Sequence, residues 1–524
     1  MRKQQYPIAQ LTGGLDISVD PVFLLDKSSP KVQNIRLYKS IIEKGLGWKQ
    51  FSPTSSPNGL PLSGTVLLID TFPLSSGSIN YLMVTEDYVY LYDSSTQLYT
   101  KKNQLDGGSP KAFTGTPDHC FCSTICVSAG GYEWFLLTNG IDYIQYWDGD
   151  NPASSRFDDL AGWTDSLIKA KSIIYYKNRL IAGGTVENGT NCPKRIRWSV
   201  AGNVTTISGT GSGFFDLVDT DDWITGFAVI KDKLFVIKER SIWELEYVGG
   251  TSIFNPVIKA DGVGSFSPNS IISLDEEILF YGSDNIYTCD GLGNLTPIGG
   301  QIYPYLYEAR ERIVNGTVAN RFQAAYIEEL KQYMLCVASY QSQVPNLIFY
   351  YDFDYNAWTV RNKEITAIGY YGVDSGDTWN ELSGNWNSQT WIWMDVDLAP
   401  GAPTTLIGDS HGNIYEDDRL TTSTDYMCYV TKDFLFTYAV RWVEFRMNIV
   451  GGPFTVCYSI DSGTTWSSRK SFGSSTNWTE YVWFLNFTSQ RIRFMIECSA
   501  ADLKIKWLEP WFIPRARSKV LRSS

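Results

Sequence analysis

The sequence repeats one pattern of two β-strands seven times. In each copy an apolar strand leads through a short polar stretch into a second strand, as in EEILFYG at 276–282 and NIYTCDG at 285–291. The second strands lie roughly 44–65 residues apart, a spacing found in circular arrays of small sheets. One hairpin cannot bury its apolar face alone, so the copies must pack against one another. They occupy 79–93, 133–149, 177–200, 231–247, 276–291, 331–354 and 404–418.

This repetition predicts an all-β chain built on a β-propeller of about seven blades. Aromatic residues make up 15% of the chain and charged residues only 19%, which suits the pleated faces of packed sheets. The best helical periodicity lies in 303–314, where Leu306, Ala309, Arg310 and Ile313 would share one face. We therefore expect one or two short helices.

Loop-forming glycine, proline and asparagine residues, together with changes in the strand pattern, divide the chain into four parts. The first sixty residues hold only short extended runs, so this segment should lie along the ring or a neighbouring subunit, and it could complete the first or last blade. The predicted parts are an extended N-terminal segment (1–60), the propeller (61–420), a C-terminal β-sandwich (421–513) and a basic tail (514–524).

The C-terminal part loses the repeated pattern and reads as six strands with short turns. Within the second strand, Arg441, Val443, Phe445 and Met447 would lie on one face, with Trp442, Glu444 and Arg446 on the other. The six predicted strands are MCYVTKDFLF, YAVRWVEFRMNIV, FTVCYSID, TEYVWFLNF, QRIRFMIECS and LKIKWLEPWFI.

Charge and cysteine content limit the class of protein. A net charge of −12 argues against general avidity for nucleic acid, which requires a basic surface. Nine cysteines without a framework spacing indicate reduced thiols in a cytosolic setting. No secretory signal and no stretch of eighteen apolar residues is found, so we expect no membrane anchor.

Candidate metal ligands occur at His119, Cys120, Cys122 and Cys126. The cysteines share one face of a strand and lack a second ligand pair, so a structural role is favoured over zinc binding. The only other histidine, His411, lies in a predicted turn. We expect no metal, no cofactor and no catalytic residue, and hence no enzyme.

Acidic residues offer two further interpretations. The pairs in DTDDW (219–223) and DEE (275–277) could flank a sugar as in a glycosidase, although acids beside loops commonly face solvent. The acids that end several repeats could form a ring at one rim, or could simply begin turns, which we favour. These residues are Asp93, Asp148, Asp290, Asp352 and Asp417.

Two stretches resemble the Asp-box hairpin of sialidases and related propellers. YSIDSGTTW at 458–466 fits its full pattern, and VDSGDTW at 373–379 fits the last six positions. The carboxylate of the first copy would accept backbone N–H groups, its glycine would be left-handed, and its tryptophan would pack beneath. The residues concerned are Asp461, Gly463 and Trp466, and in the partial copy Asp374, Gly376 and Trp379.

Two regions could contact partners. The loop after Gly372 carries Trp379, Trp386, Trp391 and Trp393, which could stack on sugars or could pack the loop onto the ring. The basic tail could bind DNA phosphate or an acidic groove, or could be a solvated end. Its basic residues are Arg515, Arg517, Lys519 and Arg522.

The chain as a whole resembles tail hub or nozzle proteins of short-tailed bacteriophages, and related neck and tail proteins. The resemblance lies in the opening GGLD…DP…SP…QNIR…GW..F (13–51), in NIYTCDGLGNLTPIG (285–299) and in LIFYYDFDYNAWTV (347–360). The C-terminal part matches only in being rich in β-strands.

The resemblance implies a non-enzymatic virion protein assembled in the host cytoplasm. Copies would form a homo-oligomeric ring, with six as the expected number, around the DNA exit channel of the tail. They would contact the portal or adaptor and the fibres or spikes. The alternatives are a propeller glycosidase of the sialidase type and a carbohydrate-binding module for host recognition.

Overall fold

Seven four-stranded antiparallel sheets surround a common axis in the computed structural model. It describes residues 3–514 except 9, 52–58, 107, 150–155, 251, 373–402 and 500–501. The innermost strands of successive sheets contact each other, and that of the last sheet contacts that of the first. The predictions of an all-β chain and of a seven-bladed propeller are therefore confirmed.

The first four blades follow one another directly along the chain. From the axis outward, blade 1 contains Val66–Pro73, Ile79–Thr85, Val89–Asp93 and Leu98–Lys101, and blade 2 contains Cys122–Val127, Glu133–Thr138, Gln145–Trp147 and Asp158–Asp159. Blade 3 contains Ile168–Tyr176, Arg179–Glu187, Thr190–Trp198 and Gly213–Asp216. Blade 4 contains Ile224–Ile230, Lys233–Lys238, Ser241–Tyr247 and Phe254–Asp261. A small hairpin, Leu105–Asp106 with Ser109–Pro110, lies between blades 1 and 2.

The remaining blades complete the ring. Blade 5 contains Ile272–Ser273, Glu277–Tyr281, Ile286–Asp290 and Leu295–Pro297, and blade 6 contains Gln323–Ile327, Gln332–Ala338, Pro345–Asp352 and Ala357–Asn362. Blade 7 contains Ala367–Tyr371, Thr404–Gly408, Ile414–Thr422 and Leu46–Gln50.

The repeated sequence pattern corresponds to the two middle strands of each blade. These strands are covered on both faces by neighbouring blades, so they are apolar without alternation. Every residue of Gln332–Ala338 is buried, for example. The outermost strands are shorter or more exposed, which is why the pattern does not include them.

Blade 7 takes its outermost strand from the N-terminal segment. Leu46–Gln50 pairs with Ile414–Thr422, with Gln50 opposite Tyr415 and Trp48 opposite Asp417. The start of the chain thus closes the ring, one of the possibilities that the sequence left open.

The remaining N-terminal strands belong to the C-terminal sheets. Gln4–Gln5 and Ile41–Lys44 pair with Leu503–Pro514, and Lys31–Gln33 pairs with Met427–Val430. Ile35–Tyr38 forms a hairpin with Ile41–Lys44.

The C-terminal part is a β-sandwich in which one long strand takes part in both layers. The first part of Ser475–Cys498 pairs with Phe434–Gly451, which in turn pairs with Leu503–Pro514. The last residues of Ser475–Cys498 pair with Met427–Val430 and with Phe454–Ser459. Phe454–Ser459 also pairs with Lys470–Phe472. Across the core, the rings of Phe445 and Phe494 stack with centroids 3.8 Å apart.

The strand count of this part differs from the expectation. The stretches TEYVWFLNF and QRIRFMIECS are one continuous strand, because it passes from one layer to the other without a turn. Likewise, the end of the first predicted strand, from Phe434, continues directly into the second.

The predicted alternation of side chains between the two faces of YAVRWVEFRMNIV is wrong at one point. Trp442 is buried together with Phe445 and Met447, although an even alternation would place it on the opposite face. The pairing register shifts between Trp442 and Glu444 on both neighbouring strands. The extra residue of this β-bulge reverses the phase of the side chains.

The predicted helix over 303–314 is shorter in the structure. The α-helix spans Tyr303–Tyr307, because the chain turns back and the Ile313 N–H donates to the Tyr305 carbonyl (2.9 Å). Short 3₁₀-helices occupy Pro268–Ser270, Gly300–Ile302, Gly316–Arg321 and Glu328–Leu330. None of the helices in the described ranges is long and apolar enough to span a bilayer.

Asn34 connects the N-terminal segment, blade 6 and the sandwich. Its backbone N–H donates to the Val360 carbonyl (2.8 Å), and its side-chain oxygen accepts from the Asn362 N–H (3.0 Å). Its side-chain amide donates to the Tyr426 carbonyl (2.7 Å). The residue is 4% exposed and has φ of 53°, a left-handed conformation that asparagine tolerates better than most residues.

We predict that Asn34→Ala lowers the free energy of unfolding by about 2–4 kcal/mol, through two lost side-chain hydrogen bonds and the left-handed backbone. Asn178→Ala is the matched control, because Asn178 is also left-handed (φ 59°) but exposed in a hairpin turn; its loss should be about 1 kcal/mol. Chemical denaturation followed by tryptophan fluorescence measures both. Equal losses would contradict the connecting role of Asn34.

Candidate functional site

A cavity of about 730 Å³ lies on the propeller axis. It lies at the end of the ring where the innermost strands begin, and the innermost strands of all seven blades contribute residues to its wall. Its wall is mainly apolar, with contributions from Leu67, Leu68, Ile224, Phe227, Ile271, Ile272 and Ile368. Its size falls within the range of pockets that hold small molecules.

The connection between blades 1 and 2 crosses the ring at this end. We call residues 114–121 the cross-loop. At the start of the cross-loop, the Thr114 N–H donates a hydrogen bond to the Asp142 carboxylate (2.9 Å). Its tip reaches the segment that enters blade 6, where Arg321 Nε donates to the Asp118 carboxylate (2.7 Å) and Asn320 Nδ2 to the Asp118 carbonyl (3.0 Å).

The cross-loop therefore forms part of the cavity wall and narrows the axial opening. The hydrogen bond from Arg321 lowers the pKa of Asp118 and keeps this carboxylate charged and paired. The thiol of Cys120 donates to the Asn320 carbonyl, a second contact at the same point.

Lys171 is the cationic side chain that lines the cavity. It extends along Gly184, where an added Cβ would lie 3.3 Å from Lys171 Cβ and 3.9 Å from its Cδ. Gly184 has φ of 63° and lies in a register shift of blade 3, so the bulge and the missing side chain together leave room for the lysine.

Asp70 lies close to the cavity on the innermost strand of blade 1. Burial raises the pKa of its carboxyl, while hydrogen bonds from the Ser123 hydroxyl and the Thr71 N–H act in the opposite direction. Its oxygen atoms thus have partners within the wall.

The predicted cysteine strand is Cys122–Val127, the innermost strand of blade 2. Burial raises the pKa of the Cys120 thiol to about 11 and that of Cys126 to about 12, so both are neutral thiols. His119 lies in the cross-loop and accepts from the Thr116 N–H (3.1 Å). No group of metal-binding side chains was found among the described residues.

The acidic pair in 219–223 is split between two separate ion pairs. Asp221 is exposed and lies 2.5 Å from Lys194, whereas Asp222 is buried and lies 2.7 Å from the fully buried Lys238. Asp222 also accepts from the Arg240 N–H and the Ser241 hydroxyl, both at 2.9 Å. Burial alone would raise the pKa of Asp222, but these contacts, that of Lys238 foremost, lower it.

Most of the other candidate acidic residues lie in or beside turns. In 275–277, Glu276 is exposed and pairs with Lys231, which lies in the turn between the first two strands of blade 4. Asp93, Asp290 and Asp352 accept backbone N–H groups of the turns that follow them, at 2.8–3.1 Å. Asp148 directly follows the strand Gln145–Trp147, whereas Asp417 lies within Ile414–Thr422, opposite Trp48, so the predicted turn role is wrong for Asp417. His411 also lies in a turn, where its N–H donates to Asp409 (2.9 Å).

The Asp-box stretch forms the hairpin turn expected for it. Asp461 accepts from the Thr465 N–H (2.9 Å) and from the Ser459 and Thr465 hydroxyls (2.6 Å each), which lower its pKa to about 2. Gly463 has φ of 86°, and Trp466 is half-buried against the sandwich core. This turn lies in the sandwich, far in sequence from the axial cavity.

Several sequence candidates fall outside the described residues. These are Asp374, Gly376, Trp379, Trp386, Trp391 and Trp393 of the blade 7 loop, and Arg515, Arg517, Lys519 and Arg522 of the tail. Their roles stay as predictions.

Neither Lys171 nor the cross-loop was predicted from the sequence. The only sequence signal for Lys171 is the alternation IKAKS at 168–172, in which lysines replace apolar residues on one face of an innermost strand. The cross-loop carries no signal of its own, since its contacts join residues some 200 positions apart.

Comparison with known proteins does not assign the chain to a family. No protein-family model and no curated protein matches the sequence. The WD40 domain of Neurospora crassa Pan2 aligns with 73% of this chain and 96% of its own, at 8% identity and a TM-score of 0.38. The extracellular domain of the one-component system BT4673 from B. thetaiotaomicron aligns with 94% of this chain and 62% of its own, at 10% identity and a TM-score of 0.41. The propeller assignment rests on the seven sheets themselves.

We predict that Asp222→Asn lowers the free energy of unfolding by about 3–5 kcal/mol, because the Lys238 ammonium would stay buried without a counter-charge. The exposed Asp221→Asn is the matched control and should change stability little. Since the folded-state pKa of Asp222 is lowered, its contribution is complete above the unfolded value of about 3.9 and is lost as the pH falls further. Denaturation midpoints measured from pH 3 to 7 check this, and similar values for the two variants would refute it.

Proposed function

We propose that this protein is a structural tail hub or nozzle subunit of a tailed bacteriophage. The observation that carries the proposal is that the separate stretches on which the resemblance rests meet in space. The Leu15 N–H donates to the Trp358 carbonyl (2.7 Å), and the Trp358 indole N–H donates to the Ile298 carbonyl (2.9 Å). Residues of GGLD, NLTPIG and NAWTV thus form one buried junction.

The glycines of the opening stretch are required by this junction. Gly14 has φ of 63°, and a Cβ at this position would lie 2.4 Å from the Trp358 carbonyl oxygen. Only glycine allows both the backbone conformation and the close approach. The resemblance therefore falls on residues that hold the N-terminal segment against blade 6.

The same segment joins the propeller to the sandwich. One continuous apolar core includes Leu15 and Ile35 of the segment, Tyr333 and Trp358 of blade 6, and Trp442 of the sandwich. A body joined in this way suits the rigid wall of an assembly, because its two parts cannot move apart without exposing that core.

Charge and exposed side chains also agree with a role in an assembly. An acidic total charge of −12 keeps a DNA passage non-adhesive. Phe23 is 79% exposed and Leu25 62% exposed on the N-terminal segment, where a neighbouring copy could cover them. We expect a closed ring, six-fold by the resemblance, between the portal or adaptor and the fibres or spikes.

The test is the location of the protein in particles. Mass spectrometry of purified phage particles should detect the chain in stoichiometric amounts, and immunogold labelling should mark the tail end. Particles that lack the protein, or label on the head only, would overturn the proposal.

A pair of glycine variants sharpens this experiment. Gly14→Ala should reduce incorporation into particles, because the added methyl group strikes the Trp358 carbonyl. Gly77→Ala imposes a similar left-handed strain (φ 91°) with no atom within 4 Å, and incorporation should be normal. Equal incorporation of the two variants would show that the junction is not needed for assembly.

A further inference from the structure

The axial cavity combines an apolar wall with a single cation that has no counter-charge. Among the described residues that line it, the charged side chains are Asp118 and Lys171. Asp118 is engaged by Arg321 at 2.7 Å. No ion pair or hydrogen bond of the Lys171 ammonium occurs among the described residues, and its side chain is exposed to the cavity.

The side chains of the surrounding wall determine which kind of ligand the cavity favours. Leu68, Phe227, Ile271 and Ile368 come from four different blades and face the same space. Polar side chains such as Ser172, Thr225 and Gln323 also line this space, but apolar atoms form most of the wall, so a ligand with many hydroxyl groups would leave some of them without a partner, at a cost in free energy. An apolar body is favoured instead, and a cationic group is repelled by Lys171.

We propose that the cavity is a binding site for a small apolar molecule that carries one carboxylate. The carboxylate pairs with the Lys171 ammonium, and the apolar body lies against Phe227 and the aliphatic side chains of the wall. A charge-assisted hydrogen bond in an apolar setting is stronger than one in water. The volume of about 730 Å³ accommodates a ligand of ordinary small-molecule size.

The cross-loop explains why such a ligand is retained. Its tip is fixed across the ring by the Asp118–Arg321 pair and by Asn320, so the cavity is covered on that side. This site is independent of the proposed tail location, because it uses residues of the axial wall and not the junction at Trp358.

Calorimetric titration of the purified full-length chain with octanoate, 1-octanol and octylammonium tests the proposal. The three probes share one chain length and differ only in the head group, which is anionic, neutral or cationic. Octanoate should bind most tightly and octylammonium most weakly. Binding of octanoate no tighter than that of 1-octanol would overturn the assignment.

Variants of Lys171 identify the cation. Lys171→Met should weaken octanoate binding by roughly tenfold to a hundredfold while 1-octanol binding is kept, as expected for one lost charge-assisted bond. Lys171→Glu should reverse the order, so that octylammonium binds more tightly than octanoate. Lys231 is exposed in the turn after the innermost strand of blade 4 and does not line the cavity. Lys231→Met is therefore the matched control and should bind as the unaltered chain does.

The variants also separate binding from folding. The affinities are compared only between variants whose denaturation midpoint equals that of the unaltered chain. Retained 1-octanol binding confirms that the cavity is intact. Octanoate affinity that is the same in Lys171→Met and the unaltered chain would refute the proposal. Neither result bears on whether the protein is found in phage tails.

Discussion

The backbone pairing of Leu46–Gln50 with Ile414–Thr422 is the contact on which the rest of the structure depends. Without it, the last blade would end in an open edge with unpaired N–H and C=O groups. Because the two strands come from opposite ends of the propeller in sequence, the pairing links the first and last parts of the ring. It also fixes the residues just before it, which therefore lie against blade 6 and the sandwich.

That placement makes the N-terminal segment the shared element of two β-structures. Ile41–Lys44 pairs with the sandwich strand Leu503–Pro514, and the next strand along the chain belongs to blade 7. Gly45 stands between them, where a Cβ would lie 3.0 Å from the Arg361 side chain. The propeller and the sandwich are thus joined by a few residues without a flexible linker, which opposes independent movement of the two parts.

The sequence predicts the parts of the fold that depend on local pattern. The middle strands of the blades are apolar because neighbours cover both faces, and the Asp-box turn follows from residues close in sequence. Features set by distant contacts escape prediction: the helix ends at Tyr307 because the chain turns back, and the bulge near Trp442 reverses the alternation. The axial cavity escapes for the same reason, since Lys171, Phe227 and Ile368 come from three blades.

The ring, the N-terminal segment and the sandwich share one apolar core and should therefore unfold as one cooperative body. Hydrogen exchange of the full chain, followed by mass spectrometry at increasing denaturant, tests it most directly. Amides of Leu46–Gln50, of Pro345–Asp352 in blade 6 and of Phe434–Gly451 in the sandwich should exchange with one common free energy and denaturant dependence. A sandwich that exchanges at a distinctly lower free energy than the ring would contradict the account.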